Sequence, residues 1–264
     1  MNLDHLKSAY DGVKFSSDFE TRTIEKLLSV VETKQKEENM IKTTKPMRIA
    51  LIAAAIIAIL SISVYGLSLL LTPKEVAIKA NDNTLANAFY SKDAILFNES
   101  KEAGEFTVSL LGIVSGKNLS DYCEEAEDNK SYIVTSLSYT DGREIKDYDE
   151  TQFTFTPLIS GYKPWQVNAW TLGGGYYSFI HEGIQYYLFE CSNIEIFADH
   201  TIYLAAYQGS VPSSNIFTFK DNGEIEYNKS FDKPHTLFTI PIDPSKADPK
   251  AVKELFEASG IVIE

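Results

Sequence analysis

Four histidines, two cysteines and a dense run of aromatic residues are the side chains with the most chemistry to offer. The histidines are His5, His181, His200 and His235, and no two of them stand at a metal-ligating spacing such as His-x-x-x-His. Asp199-His200 is an acid–imidazole pair of the sort that orients a general base, but no serine occupies a G-x-S-x-G elbow to receive it. A turn at a strand edge is the plainer account of that pair. Gly173-Gly174-Gly175 lacks the lysine and the strand-before, helix-after setting of a phosphate loop. The acidic run Cys123-Glu124-Glu125-Ala126-Glu127-Asp128 lacks the alternation of a calcium loop and reads as a solvated loop. These absences point away from an enzyme, and no cofactor is expected.

The aromatic crowd is the feature left over. Tyr162, Trp165, Trp170, Tyr176, Tyr177, Tyr186 and Tyr187 fall within one short stretch. Among them Trp165, Trp170 and Tyr176 are the candidates to stack on a sugar or on cell-wall glycan; the alternative is ordinary core packing with tyrosines at the rim. Cys123 and Cys191 permit one disulfide, closing a long loop, or two buried thiols.

The elements that would position these residues divide the chain unevenly. The first 48 residues hold nine basic and eight acidic side chains, which leaves 15 of the 24 basic and 29 of the 37 acidic residues to the remainder. The distal part therefore carries a net −14 against +1 for the first 48 residues, which disfavours direct binding to nucleic acid or to anionic lipid head groups. Residues 49–71 read IALIAAAIIAILSISVYGLSLLL, without a charge. At ~1.5 Å per residue such a helix reaches ~34 Å, enough to cross a ~30 Å hydrocarbon core. Lys42, Lys45 and Arg48 precede it with no acid among them, whereas Lys74 and Lys79 after it are offset by Glu75 and Asp82. The positive-inside rule then places the amino terminus in the cytoplasm and the carboxy-terminal part outside. The expected organisation is a cytoplasmic helical segment over 1–48, a transmembrane helix over 49–71, a juxtamembrane linker over 72–92 and an extracytoplasmic domain over 93–264. The bilayer is thus one expected partner.

Within the cytoplasmic segment, Phe15 precedes a stripe of Phe19, Ile24, Leu27, Leu28 and Val31 at helical spacing, with Glu20, Arg22, Glu25 and Lys26 opposite. Short amphipathic helices do not bury such a stripe alone, so a partner protein, a second copy of the chain or the inner leaflet must cover it. The mixed charge disfavours the leaflet, a partner protein is the sharper expectation, and a simple tether is the plainer alternative.

The distal part is expected to be mainly β. Period-two patterns with β-branched and aromatic residues predict strands over 94–97, 106–114, 132–139, 152–158, 176–180, 184–189, 202–207, 216–219, 225–227 and 237–240. Asp141-Gly142, Glu182-Gly183 and Asn222-Gly223 punctuate them, and Asn222-Gly223 carries the strongest signature of a type I′ hairpin. Ten short strands with regular turns predict a β-sandwich-like domain. A short helix is expected over 84–90. A closing helix is capped by Asp248, has Pro249 in its first turn and Gly260 at its end, and lays Val252, Leu255 and Phe256 against the sheet. Ile261-Val262-Ile263 is a candidate extra strand.

Several phrases resemble a family of bacterial membrane proteins described as anti-sigma-factor-like, whose external part is a domain of unknown function. They are SLLGIVSGKNLSDY (109–122), TPLISGYKPWQVN (156–168), YYLFECSNIEIFADHTIYL (186–204) and IPIDPSKADP (240–249). Phe15-Ser16-Ser17-Asp18-Phe19-Glu20-Thr21-Arg22-Thr23 resembles the start of that family's cytoplasmic helix. The resemblance implies a single-pass membrane regulator that binds a sigma factor inside and senses something outside, with no catalytic residues to carry over. The competing expectation is a surface-anchored module that binds cell-wall glycan or peptide.

Overall fold

The computed structural model describes residues 70–91, 94–115, 129–209 and 215–261. They belong to one compact unit, Gly66–Glu264. The expected cytoplasmic segment and the expected span, up to residue 69, lie outside the described residues, as do 262–264. No helix among the described residues is long and apolar enough to cross a membrane.

The domain is mainly β, with ten antiparallel strands among the described residues and a helix at its carboxy end. A five-stranded sheet contains β1 (Ile95–Ala103), β2 (Phe106–Ser115), β3 (Lys130–Tyr139), β5 (Gly175–His181) and β6 (Ile184–Ser192), in the order β1-β2-β3-β6-β5. A three-stranded sheet has the order β10-β7-β4, from β10 (His235–Ile240), β7 (Ile202–Gln208) and β4 (Phe153–Ile159). β8 (Phe217–Phe219) and β9 (Ile225–Tyr227) pair as a small hairpin.

The main core takes alternate residues from both sheets. Phe106, Val108, Leu110, Ile133, Leu137, Tyr187 and Phe189 from the larger sheet meet Phe153, Phe155, Ile202, Leu204, Phe238 and Ile240 from the smaller one. Aromatic pairs bridge the two, with Phe106–Phe153 at 5.3 Å and Phe155–Tyr187 at 4.7 Å between ring centroids. Burial pushes the Tyr187 hydroxyl up to about 12. A bulge in β2 resets the alternation. Leu110 pairs with Thr135 but Gly112 pairs with Val134, so Leu111 has no counterpart in β3. Inward positions therefore change from even numbers (Phe106, Val108, Leu110) to odd (Ile113), and Leu111 turns to the other face.

That other face is also buried, by the stretch expected as a juxtamembrane linker. Residues 72–92 include two packed helices, α1 (Pro73–Lys79) and α2 (Asn83–Phe89). Val76, Ala77, Leu85, Ala88 and Phe89 cover Leu111, Val114, Val134, Tyr186 and Leu188. The helix expected over 84–90 is α2, while α1 was not anticipated. Its start is a capping box. The Thr72 hydroxyl accepts from the Glu75 backbone N–H at 3.3 Å, and the Glu75 carboxylate accepts from the Thr72 N–H at 2.8 Å. Those bonds hold the Glu75 carboxyl below the usual carboxylate range.

The outer face of the smaller sheet packs Leu158, Tyr203, Ala205 and Tyr207 under Ile216, Phe217 and Ile225 of the β8–β9 hairpin. Its turn differs from expectation. Only Gly223 has a positive φ, +87°, so Asn222-Gly223 is not a type I′ turn. Gly223 is there for close approach, since a Cβ would lie 2.9 Å from the Gly161 nitrogen. The two-residue turn with positive φ at both positions is Glu182-Gly183, at +51° and +73°, which joins β5 to β6.

α3 (Pro249–Ser259) forms as expected. The Asp248 carboxylate accepts from the Lys250 and Ala251 N–H groups, Gly260 ends the helix at φ +66°, and Val252 and Phe256 are buried. Phe256 and Phe197 pack at 5.9 Å, closing one side of the main core.

The Tyr207 hydroxyl is buried without a hydrogen-bond partner among the described residues, and burial raises its pKa. An unsatisfied buried hydroxyl costs about 1–3 kcal/mol, and Phe keeps the ring and drops the cost. Tyr207→Phe should therefore raise unfolding stability by about 1 kcal/mol in urea denaturation; a loss of stability would show that the hydroxyl has a partner.

Candidate functional site

Residues 160–174 link β4 to β5 and carry both tryptophans of the chain. The loop is pinned from within. Val167, Asn168, Ala169 and Leu172 are buried. Asn168 does most of the holding: its Nδ2 donates to the Pro164 carbonyl at 2.7 Å, and its Oδ1 accepts from the N–H groups of Trp170 at 2.8 Å and Thr171 at 3.2 Å. The Ala169 N–H donates to the Thr156 hydroxyl at 2.7 Å, which ties the loop to β4. The Leu172 carbonyl accepts from both the backbone N–H and the hydroxyl of Ser192, which ties it to the end of β6.

On this fixed backbone the indole rings point outward. Trp165 is 66% exposed, Trp170 63% and Tyr176, at the start of β5, 68%. Large aromatic groups normally bury most of their surface, and here three stand exposed in and beside one pinned loop. Tyr177, the next residue of β5, is also exposed, and the remaining aromatics of the crowd part company with them. Tyr186 and Tyr187 are buried on opposite faces of the larger sheet. Tyr162 packs edge-on against Phe197 and Phe256 and tilts against His200 at 5.1 Å.

The remaining candidates have structural settings. His200 lies 3.8 Å from Asp199 at a turn, where its N–H donates to the Phe197 carbonyl. His181 sits beside Glu182 at the β5–β6 turn. His235, which has no ligating spacing in the sequence, is the most enclosed of the three described histidines. Its ring stacks parallel on Tyr227 at 4.1 Å, with Phe217 and Phe231 edge-on, and its two nitrogens lie 2.9 and 3.0 Å from the Lys233 and Asn228 carbonyl oxygens. It fastens the chain after β9 onto β10. No group of three or more potential metal ligands occurs among the described residues. Cys191 is a free thiol buried in the main core, with its pKa raised by burial, and Cys123 lies outside the described residues. Phe15, Phe19, Ile24, Leu27, Leu28 and Val31 also lie outside them.

No family model, curated protein or solved structure matches the chain.

The rigidity of the tryptophan loop is measurable. Removing the Asn168 amide breaks three hydrogen bonds in a buried setting, a cost of about 2–3 kcal/mol. Only Trp165 and Trp170 supply tryptophan emission, so their time-resolved anisotropy reports the loop directly. Asn168→Ala should lower the anisotropy through added local motion; unchanged anisotropy would mean that other contacts hold the loop.

Proposed function

We propose that this protein is a single-pass membrane regulator of the anti-sigma-factor-like kind. Its amino-terminal segment binds a sigma factor in the cytoplasm, and its external β-sandwich-like domain receives a signal. One observation carries the reading beyond the resemblance: the last two residues of the uncharged stretch, expected to end the spanning helix, already belong to the folded domain. Leu70 and Leu71 are non-helical and pack against the α1/α2 cluster, and the Leu71 N–H donates to the Tyr186 hydroxyl at 3.1 Å. Thr72 then caps α1. A module that merely needs display outside the cell is served by a loose tether, whereas a sensor needs its domain joined stiffly to the spanning helix. The uncovered stripe of Phe19, Ile24, Leu27, Leu28 and Val31 supplies the cytoplasmic binding surface.

Detergent-solubilised full-length protein, expressed in its own cells, should co-purify with a sigma factor, and Leu27→Asp should reduce that capture at least tenfold by placing a charge in the stripe. The reading fails if neither protein captures a sigma factor and Leu27→Asp leaves transcription unchanged.

A second reading is favoured by the exposed indoles alone. In it the domain binds cell-wall glycan through Trp165, Trp170 and Tyr176, by stacking on sugar rings. Full-length protein would then be retained on purified peptidoglycan, and Trp165→Ala would weaken retention at least fivefold. Equal elution of the two proteins would remove this reading.

A further inference from the structure

Sheet edges expose unpaired backbone groups, and folded proteins protect them with charges, prolines, bulges or brevity. This domain does so at every described edge except one. β1 has Glu99, Lys101 and Glu102 along it and an irregular register between Leu96 and Glu99. β4 contains Pro157. β10 has the Lys101 ammonium on its Leu237 carbonyl at 2.7 Å. β8 and β9 are three residues each. β5 is the exception. It is a regular seven-residue strand, Gly-Tyr-Tyr-Ser-Phe-Ile-His, with no acid, no lysine or arginine, no proline and no bulge.

The register identifies the groups left open. The two-residue turn closes on the His181–Ile184 pair, so residues 175, 177, 179 and 181 bond to β6. The N–H and carbonyl groups of Tyr176, Ser178 and Ile180 face away from the sheet and have no backbone partner among the described residues. Tyr176 is 68% and Tyr177 47% exposed at this same edge.

We propose that β5 pairs with β5 of a second copy of this chain, edge to edge and antiparallel, about a two-fold axis at Ser178. The strand is complementary to itself in that register. Tyr176 meets the partner copy's Ile180 on one face, and Tyr177 meets its Phe179 on the other, so aromatic rings oppose apolar groups at these pairs. Ser178, the smallest side chain of the six after Gly175, meets its own copy at the axis. Glu182 falls opposite Gly174, not opposite an acid. This matters for a chain of net charge −13, whose copies repel over most of their surface and can approach closely only where charge is absent. Tyr176, Ser178 and Ile180 would each exchange two backbone hydrogen bonds with the partner copy, and the two larger sheets would become one of ten strands. The pairing stands whether or not the amino-terminal segment binds a sigma factor.

The test uses full-length protein in detergent, with molar mass read by sedimentation. Wild type should have the mass of two copies. Ser178→Pro removes an N–H that the fold itself does not use, and Ile180→Lys places a charge on the edge; each should halve the mass. In a Cys123→Ser background, Ser178→Cys should oxidise to a linked dimer on a non-reducing gel, while Glu102→Cys on β1 should stay at background. A single-copy mass for wild type overturns the proposal. So does a dimer that survives both edge substitutions, which would put the contact elsewhere, or a Ser178→Cys protein that stays unlinked. Recovery of the strand paired with an extended segment of another protein would overturn it equally.

Discussion

Burial of the three central strands of the larger sheet on both faces is the constraint from which the rest of the domain follows. β2, β3 and β6 send alternate residues into the main core and into a second cluster beneath α1 and α2. A strand apolar on both sides cannot leave one side in water, at about 25 cal/mol for each Å² left exposed. Something must cover Leu111, Val114, Val134, Tyr186 and Leu188, and the residues available are those just after the uncharged stretch. α1 and α2 have seven residues each, far below the length at which an isolated helix persists. They exist because the sheet face is there to receive Val76, Leu85 and Phe89, and the sheet face is tenable because they are there.

The smaller sheet obeys the same rule with less material. Its outer face is covered by a two-stranded hairpin whose strands are only three residues long. Such a hairpin is marginal alone. It is held by contacts at both ends: Gly223 against Gly161 at the turn, and the ring of His235 between Tyr227 and the Asn228 and Lys233 carbonyls after β9. The unsatisfied Tyr207 hydroxyl lies in this thinner layer, and the larger sheet leaves the Thr135 hydroxyl in the same state.

Much of this was legible in the sequence because period and punctuation are local. All ten strands fall where alternation placed them, and α3 starts and stops at the cap, proline and glycine that announced it. What was not legible depended on neighbours distant in the chain. β1 continues to Ala103 through Asn98, Glu99, Ser100, Lys101 and Glu102, a polar run that reads as loop until β2 pairs with it. Asn222-Gly223 has the composition of a type I′ turn, but its glycine answers to Gly161, 62 positions earlier, and the hairpin widens instead. The stretch 72–92 reads as a linker because many of its apolar residues are small alanines, although Thr72-Pro73-Lys74-Glu75 is a capping box that could have been recognised. Of the site, Trp165, Trp170 and Tyr176, the candidates for stacking on a sugar, are all exposed. The cause of their exposure, an asparagine that fixes the loop backbone from inside, leaves no periodic trace.

The join between domain and uncharged stretch has a mechanical consequence for the proposed regulator. α1 is fixed to β2 at contact distance: a Cβ on Gly112 would lie 2.7 Å from the Pro73 ring. Close-packed surfaces of this kind have discrete arrangements and do not slide smoothly. Leu71 is fixed in addition through Tyr186, whose ring stacks on Phe179 of β5 at 5.4 Å. Residues 70–79 are therefore carried by the domain as one body, with no hinge among them to absorb motion. The edge strand β5 is one ring away from the point where the chain leaves the domain, so whatever pairs with that edge bears directly on the residues that lead into the uncharged stretch.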